Sequence, residues 1–233
     1  MPAKNVIKIY IPGGYYHVYN RGVDKRNIFK DEQDYCVFLH FLKVYLSPNL
    51  KYKKGEVMLE SEKLTGIIPV KERPIQSLCE EVRLLAFCLM GNHFHLMLQQ
   101  LTSDGMEKLL RRVCITYAMY FNEKYQRTGR LFQGTYKAAA IDKDAYFTHL
   151  SRYIHQNPLS LEQYTKRNLS EYPYSSYPYF LNLKHADWVY PVPILECFSR
   201  IQSTLSRQVN SYKAFVEEYE YNGSELLSDL IFD

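Results

Sequence analysis

The chain is 233 residues long with 46% hydrophobic and 23% charged residues, a composition that supports a real core and is ordinary for a soluble protein, built as one large domain or a domain with appendages. No apolar run approaches the roughly 18 residues a bilayer-spanning helix needs, and the first residues lack a signal peptide's basic-then-apolar pattern, so the expected location is the cytoplasm, with no membrane partner. The net charge of +4 hides an asymmetry: residues 214–233 hold six acids and no Lys or Arg, leaving 29 bases against 19 acids elsewhere, a net of +10, which points to a polyanionic partner.

Cys36, Cys79, Cys88, Cys114 and Cys197 are odd in number and form no C-x-x-C pair, so neither a disulfide frame nor a zinc knuckle is indicated. They are expected to be reduced, mostly buried thiols. Twenty-two tyrosines against one tryptophan supply rings that pack through the face and hydrogen-bond through the hydroxyl.

After the Pro12-Gly13-Gly14 break, Tyr15 to Asn20 is rich in β-favouring residues and predicts a strand that ends at Arg21-Gly22. Tyr35, Phe38, Leu39, Leu42 and Leu46 then recur at helical spacing behind Asp31 or Asp34, with Pro48 beyond the end. Residues 47–80 read as an insertion, with a basic Lys51 to Gly55 run and short strand-like pieces that can form a small hairpin. Val82 to Met90 and His93 to Gln99 predict two strands about a Gly91-Asn92 corner. From Asp104 to Gln126, the stripe Met106, Leu109, Leu110, Val113, Tyr117, Tyr120 and Phe121 predicts a second amphipathic helix with a basic side. Gly134 to Ile141 reads as a fourth strand, and Ala145 to Gln156 as a third helix capped by Asp142 or Asp144.

This order predicts an α+β fold: a ferredoxin-like (RRM-like) antiparallel four-stranded sheet with two helices on one face and an extra helix after it. The other face is left free to hold a site. Residues 1–180 form the expected domain, interrupted at about 47–80, and residues 181–233 a C-terminal helical extension ending in the acidic tail. That tail either lies over the basic body and competes with its partner or is a plain solubilising end.

Alternation along a strand puts His93 and His95 on one face and Phe94, Leu96 and Leu98 on the other. Two imidazoles side by side can hold a divalent cation, although His-x-His can equally be two polar positions on an open sheet face. In the third helix Tyr153 and Asn157 are four apart and share a face, and Pro158 places Asn157 at the helix end. Packed on the open face, Asn157 can offer its carbonyl oxygen to a cation held by the histidines, with Tyr153 pointing at the same spot.

Here the chain resembles the single-tyrosine HUH transposases and, within them, the REP-associated tyrosine transposases. The stretches that carry the resemblance are Tyr16 to Gly22, Ile28-Phe29, Leu89 to Leu96, Gly129 to Gly134, Arg152 to Pro158 and Tyr174 to Tyr177, in the family's order. The resemblance implies that residues 1–180 are a transposase domain acting as a metal-dependent single-stranded DNA endonuclease and strand transferase on hairpin or repeat DNA. Tyr153 falls on the nucleophile that forms a covalent 5′-phosphotyrosine bond, and His93, His95 and Asn157 fall on the metal ligands. The added helix would then be the catalytic one. Two departures stand out: Gly91 where the family often has Pro, and Thr135 where an Arg commonly follows Phe-Gln-Gly.

Ligand chemistry favours Mg2+ or Mn2+, with Cys88 the nearby candidate for a zinc alternative. Single-stranded DNA would be read by stacking on aromatic rings over a basic groove. Tyr15, Tyr16 and Tyr19, with Arg21, Arg111, Arg112, Lys124, Arg127, Arg130 and Lys137, are the candidates. The chain would work as a monomer or homodimer. The competing class is a non-catalytic single-stranded nucleic-acid-binding protein derived from a transposase, since a split βαβ sheet with exposed aromatics also suits that task.

Overall fold

The computed structural model describes residues 10–48, 76–142, 144–201 and 211–218. Most of the expected insertion and most of the acidic tail lie outside the described residues. Strand β1 (Tyr15–Arg21) leads to helix α1 (Glu32–Leu46), strands β2 (Val82–Met90) and β3 (His93–Gln100), helix α2 (Gly105–Lys124), strand β4 (Lys137–Ile141) and helix α3 (Asp144–Gln156). The sheet runs β2-β3-β1-β4 with every pairing antiparallel, as the split βαβ reading predicts. A single helical turn, α4 (Tyr177–Phe180), precedes α5 (Val192–Ile201) and α6 (Tyr212–Glu217).

Strand alternation divides the core in two. Tyr16, Val18, Phe94, Leu96 and Leu98 face α1 and α2 and are buried with Phe38, Leu42, Leu109 and Tyr117. Each such apolar side chain contributes on the order of 1.5–3 kcal/mol of burial free energy. Cys88, Met90 and Met97 face the other way, against Leu150 and Ile154 of α3 and Phe198 and Phe215 of α5 and α6. The second face is therefore only partly open: α3 lies over β2 and β3, and α5 and α6 pack on α3. What remains accessible lies beside α3, over β1 and β4.

Local chemistry explains the element ends. Asp31 caps α1, its side chain accepting the Asp34 N–H at 3.1 Å. The Gly91-Asn92 corner is clamped from outside: the Gly91 carbonyl accepts the Ile28 and Phe29 N–H groups at 2.8 and 3.0 Å, and the Asn92 carbonyl accepts the Gly22 N–H at 2.9 Å. At Gly22 an added Cβ would collide with the Arg26 carbonyl oxygen, so this close approach needs glycine. The edge of β2 is closed by Tyr174–Ser176, with Leu89 N–H donating to the Tyr174 carbonyl and Ser176 N–H to the Phe87 carbonyl, each at 2.9 Å. An edge capped in this way presents no template for further strands.

Candidate active site

The pairing register sets a row of polar side chains across the second face. Tyr19 sits opposite His95 and Arg21 opposite His93, while Lys137 of β4 sits opposite Tyr19. His17, two residues earlier on β1, lies diagonal to His95. His93 and His95 have ring centroids 5.0 Å apart and nearly perpendicular planes.

Helix α3 brings the remaining groups. The Tyr153 ring stands edge-on to His95 at 5.5 Å between centroids and to His17 at 6.4 Å. One turn later, Asn157 begins a short 3-10 turn with Pro158. The Asn157 side-chain NH2 donates to the Tyr153 carbonyl at 2.9 Å, and its Oδ1 lies 3.4 Å from His93 Nε2. The helix is held in place from behind. His155 Nε2 meets Ser176 Oγ at 2.8 Å, its Nδ1 meets the Tyr212 hydroxyl at 3.0 Å, and Gln156 Nε2 donates to the Val216 carbonyl at 2.5 Å.

Both histidines of the pair have their Nδ1 atoms engaged elsewhere: His93 with Asn92 Oδ1 at 2.6 Å, His95 with His17 Nε2 at 2.9 Å. Nε2 of each is then the nitrogen turned away from these partners, that of His93 toward Asn157 Oδ1, and outer partners of this kind fix the orientation of metal-binding imidazoles. Octahedral ligands on a small cation at about 2.0–2.1 Å stand roughly 3 Å from one another, close to the His93 to Asn157 spacing. His93 Nε2 and Asn157 Oδ1 thus stand near the spacing of two ligands on one divalent cation, with the His95 ring beside them. A zinc site completed by Cys88 does not assemble: among the described residues no three His, Cys, Asp or Glu side chains group to hold a metal. Cys88 is fully buried and its Sγ lies 3.7 Å from Met90 Sδ.

Burial dominates the electrostatics. His95 is held neutral, its pKa well below the usual imidazole value through burial and, secondarily, through His17 and His93. The Tyr19 hydroxyl is pushed up to about 12 by burial and by the neighbouring Tyr153 oxygen, against the opposing pull of Arg21. Beside the histidines lies a groove of about 430 Å³, lined among others by Tyr19, Arg21, Lys25, Gln133, Thr135 and Lys137. The Lys137 ammonium lies 5.7 Å from the Tyr19 ring centroid, and Arg21 Nε donates to Gln133 Oε1.

Of the sequence-predicted residues, then, His93, His95, Asn157 and Tyr153 come together, and Arg21 and Lys137 line the adjoining groove. Others stand elsewhere. Tyr16 is 4% exposed in the α1/α2 core, its hydroxyl accepting the Ile11 N–H at 2.7 Å, so it offers no ring face to a base. Arg111 and Arg112 belong to α2, on the opposite side of the sheet, and Arg112 donates to the Gln76 carbonyl. Arg130 is exposed in the loop before β4 and is not among the groove-lining residues. Sequence reasoning missed His17, Lys25, Asn92 and Gln133. The signal for His17 was its alternation with Tyr19, which gives a shared face but not the partner strand's register.

A family model described as "Transposase IS200 like" matches residues 72–157. The fold is similar to a solved structure described as "Structure of the REP associates tyrosine transposase bound to a REP hairpin", with 16% sequence identity, a TM-score of 0.50, and coverage of 80% of this chain and 92% of that one. At that identity the likeness speaks for the fold, and it agrees with the four-stranded antiparallel sheet and its helices. No match was found among the curated proteins.

Proposed function

We propose that this chain, whose residues 72–157 match the IS200-like transposase model, is a metal-dependent endonuclease and strand transferase of single-stranded, hairpin-forming DNA, with Tyr153 as its nucleophile. The observation that supports this most directly is the convergence of the Tyr153 ring on His95 with the 3.4 Å approach of Asn157 Oδ1 to His93 Nε2. One element, α3, delivers both the candidate nucleophile and the candidate third ligand.

His93 and His95 through Nε2, and Asn157 through Oδ1, would hold Mg2+ or Mn2+. Such an ion, when bound, neutralises charge on the non-bridging oxygens of a phosphate. Arg21 and Lys137, which line the adjoining groove, would pair with neighbouring phosphates. Helix α3, tied to Ser176 and Tyr212 behind, would hold the phenolic oxygen of Tyr153 for attack on that phosphate. Attack forms a phosphotyrosine ester at the 5′ phosphate, breaks the bond to the 3′ oxygen and releases a 3′ hydroxyl. The ester retains the energy of the broken bond, so a 3′ hydroxyl from another end can reverse the step and join strands. Simple hydrolysis would lack that property.

The test is covalent capture. A pool of 3′-labelled single-stranded oligonucleotides containing hairpins is incubated with the full chain and Mn2+ and resolved on a denaturing gel. The expected result is a slowly migrating labelled adduct that disappears in Tyr153→Phe and on chelation. Binding of the pool without any adduct from the parent chain would instead favour a non-catalytic single-strand binder, and an adduct persisting in Tyr153→Phe would remove Tyr153 from its role.

A further inference from the structure

We propose that His17 is a positioning residue that fixes the tautomer of His95, keeping the proton on Nδ1 and Nε2 free for a divalent cation; this rests on the metal-site reading above. His17 Nε2 and His95 Nδ1 are 2.9 Å apart with both rings buried, His17 completely. A contact this short between two ring nitrogens holds one proton: two would repel and none would leave two lone pairs facing each other. If the proton sits on His17, His95 carries its own on Nε2 and cannot ligate. If it sits on His95 Nδ1, Nε2 presents a lone pair.

The surroundings favour the second arrangement. His93 adopts it independently, its Nδ1 lying 2.6 Å from Asn92 Oδ1, an acceptor that demands a proton on that nitrogen. The two imidazoles of the pair thereby turn the same atom, Nε2, away from their Nδ1 partners, as a shared site requires. His17 itself is not a third ligand, since its Nε2 is committed to His95 and the three histidines form no metal-holding group among the described residues. The diagonal placement of His17 against His95 across the β1–β3 pairing, with Tyr19 directly opposite, puts it behind the metal-facing edge.

Two readouts on the full chain test this. Nitrogen-15 imidazole spectra of the metal-free protein report the His95 tautomer, and titration with Mn2+ alone reports affinity. The parent is expected to show His95 protonated on Nδ1. In His17→Leu that preference is lost and Mn2+ binds about 10–100-fold more weakly, the usual cost of losing an outer-shell partner. In His17→Gln the side-chain oxygen accepts the same proton, and both tautomer and affinity recover. Because the tautomer is read in the folded chain without metal, lowered stability in the Leu variant does not mimic the result.

A parent with His95 protonated on Nε2, or a His17→Leu variant with unchanged tautomer and affinity, overturns the proposal. Failure of the metal-site reading carries a different signature. Mn2+ binding that is unchanged in His93→Ala would remove the site, and the proposal with it, even while the His95 tautomer still followed residue 17.

Discussion

The side-chain nitrogen of Asn157 donates to the backbone carbonyl of Tyr153, so the residue proposed as nucleophile also orients the proposed third ligand. With the NH2 committed, Oδ1 is the atom left to face His93 Nε2. Asn157→Gln, which keeps an amide on a longer stem, is expected to retain Mn2+ binding and covalent capture. Asn157→Leu is expected to weaken Mn2+ binding by at least the 10–100-fold typical of outer-shell losses. Calorimetric titration with Mn2+ on both variants checks this, and equal affinity in the Leu variant would count against Asn157 as a ligand.

The groove makes a prediction about salt. Arg21 and Lys137 line it, whereas Arg111 projects from α2 on the other side of the sheet. For single strands the logarithm of affinity falls with that of salt by about 0.7 for each phosphate contact. Arg21→Ala and Lys137→Ala should each flatten that slope by about 0.7, and Arg111→Ala should leave it unchanged. Fluorescence anisotropy of a labelled single strand from low to moderate salt measures all three.

The contrast between those arginines marks where the sequence stops being legible. Periodicity gave the helix that carries Arg111 and Arg112, but a helix's polar side is polar whichever face of the sheet it covers. Tyr16 lay within reach, since the same alternation that pairs His17 with Tyr19 sends Tyr16 to the other face. His93 and His95 were readable because two ligand-type residues on one short strand need no register to be neighbours. Asn157 was readable because Pro158 ends α3 locally. His17 was not, because its meeting with His95 depends on a pairing between residues 78 positions apart. Nor did periodicity show that α5 and α6 back α3, since a buried stripe does not name the surface it covers.

Acid should destabilise the fold before it touches the carboxylates. Burial, reinforced by Lys43 and by Arg152 respectively, lowers His40 and His149 from 6.5 to about 4. Between these values the unfolded chain takes up protons that the native state refuses, so stability is complete above about pH 6.5 and falls as pH drops toward 4. Each group contributes a slope of at most roughly 1.4 kcal/mol per pH unit. Urea unfolding at pH 7, 6 and 5 should show the decline, and His40→Gln should reduce it. A flat profile over this range would contradict the assignment.

The largest single-residue loss of stability outside the apolar core is expected at Asp34. Its carboxylate is fully buried and accepts from Lys124 Nζ at 2.9 Å, the Tyr120 and Tyr125 hydroxyls at 3.0 and 2.8 Å, and the Lys30 N–H at 2.8 Å. This one group ties the start of α1 to the end of α2. Asp34→Ala strips an acceptor from four donors, of which Lys124 and Tyr125 keep Asp31 as a second partner while the Tyr120 hydroxyl and the Lys30 N–H lose theirs, at a cost of about 2–4 kcal/mol. Asp31, by contrast, is half-exposed, and Asp31→Ala should cost about 1 kcal/mol, the worth of its N-cap bond. In urea unfolding both variants should lower the midpoint without changing the slope, Asp34→Ala by the larger margin. The reverse ranking would mean that the exposed Asp31 contact with Lys124, and not the buried carboxylate, holds the two helices together.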